Sequence, residues 1–341
     1  MPLTIVQGDI TRIRADAIVN AANPQLTAGG GVCGAIFAGA GREKMRLACD
    51  KIGSCPVGGA VLTPGFLLPA RWVIHTVGPV WQGGTHGEEA LLRACYQNAL
   101  ALASARHMRS VAFPLISAGI YGYPRDAVLA VAVSEIGAYL LHHDIVVTIA
   151  LFEGGGELPG AARFRGIRAM LGAKTEATNP AVFSARKQSS GSFGGQEPPM
   201  FVPLAMPAPS AATKPQTIQT KLEEAAGRIG ETFSQRLLRL IDERGLTDPE
   251  VYRRANLDRR LFSKIRADKQ YQPSKSTVLA LAVALRLNLD QTADLLRAAG
   301  YALSPGSRFD RIVEYFIQNG TYDIFEINEA LFAFGENLLG A

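Results

Sequence analysis

The sequence predicts an α/β domain on a mostly parallel sheet, then a linker, then an all-helical C-terminal region. Three observations carry this prediction. Through residue 172, short apolar runs alternate with helical patterns, the arrangement that covers a parallel sheet with helices on both faces. From about Ala173 to residue 220 the composition shifts to Ser, Pro, Ala, Gln and Gly with no sustained period, too little apolar surface to offset the entropy of ordering. From about Lys221 the signal is purely helical.

In chain order, the buried strands are expected at Leu3–Gln7, Ala17–Asn20, Ala60–Phe66, Trp72–Val77, Ser110–Ile116 and Ile145–Phe152. Between them the helical pattern is clearest at Glu88–Arg106 and Asp126–His142. The division is 1–172, a flexible linker over 173–220, and a helical part over 221–341. In that last part Phe233, Leu237, Leu238 and Ile241 form one apolar stripe, closed by Gly245. Thr247–Glu250, "TDPE", is a capping box with proline near the first helical position. Asn288–Gln291, "NLDQ", has a similar form before a helix ending at Gly300, and two more amphipathic helices follow near Phe309–Gln318 and Phe325–Phe334.

Composition narrows the function classes. With 48% hydrophobic and 19% charged residues the chain reads as soluble and globular, without an uncharged apolar run long enough to span a membrane. The first residues, MPLTIVQGDI, carry no secretory pattern, so the expected compartment is cytoplasmic. The four cysteines, Cys33, Cys49, Cys55 and Cys95, fit no zinc spacing, and neither a metal nor a cofactor is expected. The net charge of +5 is unevenly spread: Tyr252–Lys275 carries +6 and Asp290–Ala341 carries −5.

Two glycine-rich loops stand out. Gly29-Gly30-Gly31-Val32-Cys33-Gly34 matches a dinucleotide fingerprint literally, but eight residues separate it from the preceding strand and no acidic residue ends the next one. Lys-Ser/Thr is also missing, which excludes a P-loop. A second loop, Ser117–Gly122, follows another buried strand. Loops after the C-terminal ends of parallel strands share one edge, where backbone N–H groups and helix N-termini attract phosphate. Neither loop contains Arg or Lys, so a diphosphate there is expected to be held by backbone alone.

"GDIT" (Gly8–Thr11), "DAIVNAAN" (Asp16–Asn23), "GGGVCGAI" (Gly29–Ile36), "VIHTVGPVW" (Val73–Trp81) and "PLISAGIYGYP" (Pro114–Pro124) together resemble the macrodomain family, over about residues 1–172. The resemblance implies a three-layer α/β/α sandwich on a mixed, mostly parallel sheet, binding ADP-ribose or an ADP-ribosylated protein. Within the family it is nearest the ADP-ribosyl-hydrolase and O-acetyl-ADP-ribose deacetylase branch. It implies that Asp9 accepts from the adenine amine with Ile10 beside it. Gly30, Gly31 and Val32 would line the diphosphate and distal ribose, with Ser117, Gly119, Ile120 and Tyr121 closing from the other side. Phe152 would stack on adenine, and Asn23 would hydrogen-bond the distal ribose near the scissile bond. Asn20 is a further ligand candidate. The bland alternatives are turn-capping for Asp9, plain core for Phe152 and loop support for Asn20, while His75 reads as a satisfied core histidine.

Cys33 stands where the hydrolase branch usually has an aspartate that orients or activates water. A neutral thiol accepts hydrogen bonds weakly. Three readings stay open: hydrolysis that relies on Asn23 and the substrate's own phosphate, binding without cleavage, or Cys33 itself as nucleophile or redox switch. For hydrolysis an ester is the natural substrate, since a carboxylate leaves more readily than an amide.

Thr247–Ala255, a turn at Asn256-Leu257, and Asp258–Ala267 have helix-turn-helix proportions. Val251, Ala255, Leu257, Phe262 and Ile265 fall at the apolar contacts of two crossed helices, leaving Arg259, Arg260, Ser263, Lys264 and Arg266 outward. Residues 233–303 resemble a phage-repressor-like DNA-binding domain, which implies double-stranded DNA as partner. The alternative is a helical adaptor with a solvated basic face. The last forty residues are expected to form a dimerisation or packing element.

Overall fold

The computed structural model describes residues 2–152, 158–160, 162–173 and 231–340. Apart from Ala173, the stretch read as a linker lies outside them. Six strands, β1 (Leu3–Gln7), β2 (Ala17–Ala22), β3 (Ala60–Pro64), β4 (Trp72–Val77), β5 (Ser110–Phe113) and β6 (Val146–Leu151), form one sheet in the order β1-β6-β5-β2-β4-β3. All neighbours are parallel except β3, which runs antiparallel to β4 at the edge. Each strand coincides with an expected run. β5 stops before Pro114, which cannot donate to a ladder.

Period-two alternation sorts the strand residues to two faces. Ile18 and Val73 pack with Ile36, Phe37 and Met45 of α1 (Gly31–Ala40) and α2 (Arg42–Ile52). Val19 and Ile74 face the opposite way, with Leu92 and Tyr96 of α3 (Glu88–Ala105) and Leu129 and Ile136 of α4 (Arg125–Leu140). The result is an α/β/α sandwich. A further helix, α5 (Arg165–Ala173), follows β6.

Seven C-terminal helices follow among the described residues: α6 (Phe233–Glu243), α7 (Asp248–Arg254), α8 (Arg259–Ala267), α9 (Lys275–Ala284), α10 (Leu289–Ala298), α11 (Arg308–Gln318) and α12 (Ile324–Ala333). Capping boxes at Thr232/Gln235 and Asn288/Gln291 start α6 and α10. The Thr247 N–H donates to Glu250 at 2.8 Å at the start of α7. No helix among the described residues is long and apolar enough to cross a membrane.

Residues 1–171 and 232–341 belong to one compact unit and share one apolar core. Phe325 of α12 lies so close to Gly137 of α4 that a Cβ there would come within 2.7 Å of the ring. Arg163 donates to Glu329 at 2.8 Å, and Arg253 reaches Asp144 at 3.0 Å. The turn residue Asn256, at φ +54°, holds strand β1 directly: its Oδ1 accepts from the Leu3 N–H at 2.7 Å and its Nδ2 donates to the Leu3 carbonyl at 3.0 Å. The apolar residues of α12 that suggest dimerisation or packing, Ile324, Phe325, Ile327, Leu331 and Phe332, are buried within the chain itself.

Candidate functional site

The carboxyl ends of β1, β2, β5 and β6 open onto one edge of the sheet, as the parallel order requires. A cavity of about 410 Å³ sits there. Of the residues expected to touch ligand, Asp9, Ile10, Gly31, Val32, Gly119 and Phe152 line it together.

Asp9 caps the 3₁₀ turn Ile10–Arg12: its Oδ1 accepts from the Thr11 N–H at 2.9 Å and from the Thr11 hydroxyl at 2.7 Å. The Thr11 hydroxyl, helped by the backbone bond and the nearby Arg12, holds its pKa below the ordinary carboxylate value against the opposing effect of burial. Turn-capping is therefore real, yet Oδ2 remains free of hydrogen bonds apart from Arg12 at 3.7 Å. Phe152 ends the last strand and is 75% exposed, an aromatic ring open at the cavity rim, so the plain-core alternative fails.

On one side the first glycine loop delivers its backbone into α1. Gly30 precedes the helix in extended conformation, and Gly31 opens it at φ +57°, a value that L residues with a Cβ rarely adopt. On the other side the second loop turns back on itself: the Gly122 N–H donates to Gly119 and the Tyr123 N–H to Ser117. The Trp81 N–H donates to the Tyr121 carbonyl at 2.9 Å, and the Trp81 and Tyr123 rings pack at a tilt of 48° with centroids 4.3 Å apart, anchoring this loop to the segment after β4. Ile120, 80% exposed, leans across, its Cδ1 only 3.3 Å from where a Cβ on Gly30 would be. The two loops thus meet over the cavity.

Ser117 is buried with φ +66°, and its hydroxyl has no partner. It fits because residue 78 is glycine; a Cβ there would fall 2.1 Å from the hydroxyl oxygen. Ser117, Gly30, Ile120 and Tyr121 do not line the cavity itself, and neither do Asn20, Asn23 and Cys33.

Asn23 is engaged with its own loop. Its Oδ1 accepts from the Thr27 N–H at 3.0 Å and from the Thr27 hydroxyl at 3.2 Å, and its Nδ2 donates to the Thr27 carbonyl at 2.9 Å. Cys33 is buried at the third position of α1, 3.7 Å from the Thr27 carbonyl. Asn20 is fully buried beneath it, with Nδ2 3.6 Å from the Cys33 sulfur and 3.0 Å from His75 Nδ1, while its Oδ1 has no partner. Its partners are side chains, not loop backbone. His75 has both ring nitrogens bonded, as a core histidine should, and burial pushes its pKa down to about 4.

Arg125, the first residue of α4, also lines the cavity and brings a positive side chain to its wall, just beyond a loop that contains no Arg or Lys. The loop motif ends at Pro124, and the residue that follows belongs to the helix; only its position at a helix start beside the loop signals the role. Glu88 is a second unread feature. It accepts from the backbone N–H groups of Gln82, Gly84 and His86 and tethers that loop. Burial opposes its charge, but these backbone donors bring its pKa down to about 2. Among the described residues no group of His, Cys, Asp and Glu could hold a metal ion.

The Macro domain family profile matches residues 19–132. A macro domain-containing protein of Methanosarcina mazei is 47% identical over 149 residues, covering 44% of this chain and 79% of that protein. The chain belongs to the Macro domain family. A second relative of this macrodomain, from Escherichia fergusonii and named O-acetyl-ADP-ribose deacetylase, is 50% identical over 143 residues, or 41% of this chain and 80% of that protein. Among solved structures, the Oceanobacillus iheyensis macrodomain with ADP is 38% identical, with a TM-score of 0.43, covering 51% of this chain and 91% of that one. The macrodomain motifs quoted from the sequence bracket the cavity: GDIT supplies Asp9 and Ile10, the first glycine loop Gly31 and Val32, and the second loop Gly119.

Proposed function

We propose that the protein binds ADP-ribose in this cavity and hydrolyses an ester-linked ADP-ribose, with the basic face of α8 engaging double-stranded DNA. The observation that carries the binding assignment is the convergence of Asp9, Ile10, Gly31, Val32, Gly119 and Phe152, drawn from four separate segments, on one cavity in a macrodomain. Asp9 Oδ2 accepts the adenine amine and the exposed Phe152 ring stacks on the base. Backbone N–H groups around Gly31 and Gly119 hold the diphosphate, joined by the Arg125 guanidinium and the N-termini of α1 and α4.

For hydrolysis, water cleaves the ester: the carboxylate leaves if the ribose C–O bond breaks, and the ribose hydroxyl leaves if the acyl C–O bond breaks; either way the products are ADP-ribose and the acid. The Asn23 amide turns from Thr27 to the distal ribose hydroxyls as ligand enters. The Cys33 thiol is a weak acceptor and supplies little general base, so the substrate's phosphate and Asn23 carry most of the water orientation. The relative named O-acetyl-ADP-ribose deacetylase supports this class of substrate.

A second reading is a non-catalytic ADP-ribose sensor that tunes DNA binding. It is favoured by one observation, that the Asn23 side chain is wholly engaged by Thr27 while the Cys33 thiol is buried. Both readings require binding. Calorimetric titration of the full chain with ADP-ribose should give a single site that Val32→Trp, which fills the cavity, removes. Undiminished binding by that variant would place the ligand elsewhere and end both readings.

A further inference from the structure

The parallel order that opens the carboxyl ends of the strands onto the cavity gathers their amino ends on the opposite edge of the sheet. In sheet order that edge runs from Leu3 of β1 past Val146 of β6, Ser110 of β5 and Ala17 of β2 to Trp72 of β4. With about 4.8 Å between neighbouring strands, these four steps span roughly 19 Å. Four exposed arginines stand along it: Arg14 leads into β2, Arg71 into β4, and Arg106 and Arg109 lie in the turn before β5.

Their charge is not balanced within the chain. The two acids of this edge have other partners. Asp16 Oδ2 accepts from the backbone N–H groups of Arg109 at 2.6 Å and Ser110 at 3.2 Å, and Asp144 pairs with Arg253 at 3.0 Å. None of the four guanidinium groups has an ion-pair partner among the described residues. Arg71 and Arg106 come from different segments to the same ring, 5.5 and 5.9 Å from the centroid of Trp72. A ring face orients a guanidinium group without neutralising it, so two like charges are held close with no carboxylate between them. An anion is the partner that such an arrangement lacks.

The α7–α8 pair is fastened to the same edge. Asn256, in the turn between them, holds the Leu3 backbone at β1, and Arg253 and the Tyr252 hydroxyl reach Asp144 before β6. Arg259, the first residue of α8, follows Asn256 by three residues, so it lies within about 11 Å of that contact along the chain. Burial raises the pKa of the Tyr252 phenol and Asp144 adds to this, while Arg253 and Arg259, both close by, oppose it. The start of α8, the part of such a helix that meets base edges, therefore adjoins one end of the arginine row.

We infer that α8 and this amino edge form one interface for duplex DNA, in which α8 enters the major groove and Arg106 and Arg109 hold phosphates of the flanking base pairs. The inference rests on the reading of α8 as a DNA-binding helix and extends it to the macrodomain itself. The edge's span of roughly 19 Å matches five or six base pairs at about 3.4 Å each along one strand. Because the cavity opens on the opposite edge, DNA held here leaves its mouth uncovered, and an ADP-ribosyl group can enter while the protein is on DNA.

The test is fluorescence anisotropy of the full chain with a duplex of about two helical turns, over a salt series. Arg106→Ala with Arg109→Ala should weaken binding several-fold and lower the salt slope by about 2, as should Arg259→Ala with Lys264→Ala; all four changes together should lower it by about 4. Arg106→Lys with Arg109→Lys keeps the charge and should keep the slope. Both arginines are exposed and their backbone bonds survive substitution, so the variants fold. A slope lowered by the α8 pair but untouched by the edge pair overturns the joint interface and leaves the α8 reading standing. A slope lowered by the edge pair alone overturns the joint interface and ends the α8 reading. No binding by wild type ends both. A single strand of equal length bound as tightly as the duplex overturns duplex DNA as the occupant.

Discussion

The Asn20 amide nitrogen lies 3.0 Å from His75 Nδ1, and the opposite ring nitrogen, Nε2, lies 2.8 Å from the Thr63 hydroxyl. The amide is a donor, so Nδ1 accepts and Nε2 carries the proton. Thr63 accepts that proton's bond and donates its own to the Met45 sulfur at 3.3 Å. A directed chain thus runs beneath the first glycine loop and fixes the amide that touches Cys33. Protonating His75 breaks it, because Nδ1 could then no longer accept.

The ring's pKa is held down to about 4 by burial, from an ordinary value of 6.5. A histidine kept neutral by folding contributes stability that is complete above pH 6.5. That stability is lost as the pH falls toward 4, because the unfolded state binds the proton first. The whole effect is about 3 kcal/mol. Urea unfolding of wild type and His75→Gln at several values between pH 4 and 7 should show a difference that shrinks as pH falls. A constant difference would show that His75 titrates normally.

Arg125 is predicted to add side-chain charge to the diphosphate site. Arg125→Ala should weaken ADP-ribose binding by roughly 3–10-fold at low salt, with a smaller loss at high ionic strength. Titrations at two salt concentrations check it. Equal affinities would mean that backbone alone holds the phosphates.

How much was legible in the sequence follows from what each feature depends on. The strands could be read because burial on both faces leaves continuous apolar runs, as in Trp72–Val77. Asp9, Val32, Gly119 and Phe152 could be read because they lie within or beside contiguous motifs. Arg125 could not, since its role depends on where α4 begins rather than on the loop motif. Nor could the contact between Asn256 and Leu3, residues 253 positions apart, whose pairing exists only once the helices lie against β1. The sequence reading of 1–172 and 221–341 as separate parts had no local signal for the core they share.

That contact has a measurable weight. Asn256 makes two bonds to the Leu3 backbone and a third, at 3.3 Å, to the Leu339 carbonyl, all buried. Asn256→Ala should cost about 2–4 kcal/mol, from lost buried bonds and from a Cβ residue forced to positive φ. Asn256→Gly removes the same bonds without the backbone strain and should cost about 1 kcal/mol less. Denaturant unfolding of both variants gives the comparison; a negligible loss in Asn256→Ala would mean the turn is not an anchor.

The basic face of α8 is open to solvent: Arg259, Arg260, Ser263, Lys264 and Arg266 are all exposed. Arg266 is bound to Asp248 at 2.6 Å, and Lys264 sits over the Tyr271 ring at 5.3 Å, whereas Arg259 and Arg260 project without such partners among the described residues. If this face engages duplex DNA, Arg259→Ala with Lys264→Ala should weaken binding and lower the salt slope by about 2. Fluorescence anisotropy over a salt series measures both. An unchanged slope would exclude the face.

The central claim is turnover at the first cavity, and single-turnover release of ADP-ribose from an ester-linked ADP-ribosylated protein tests it most directly. The account predicts slow release by wild type, abolished by Asn23→Ala and accelerated by Cys33→Asp, which restores a carboxylate at the start of α1. No release by wild type at any enzyme excess, with ADP-ribose still bound, would contradict it and leave the cavity as a sensor.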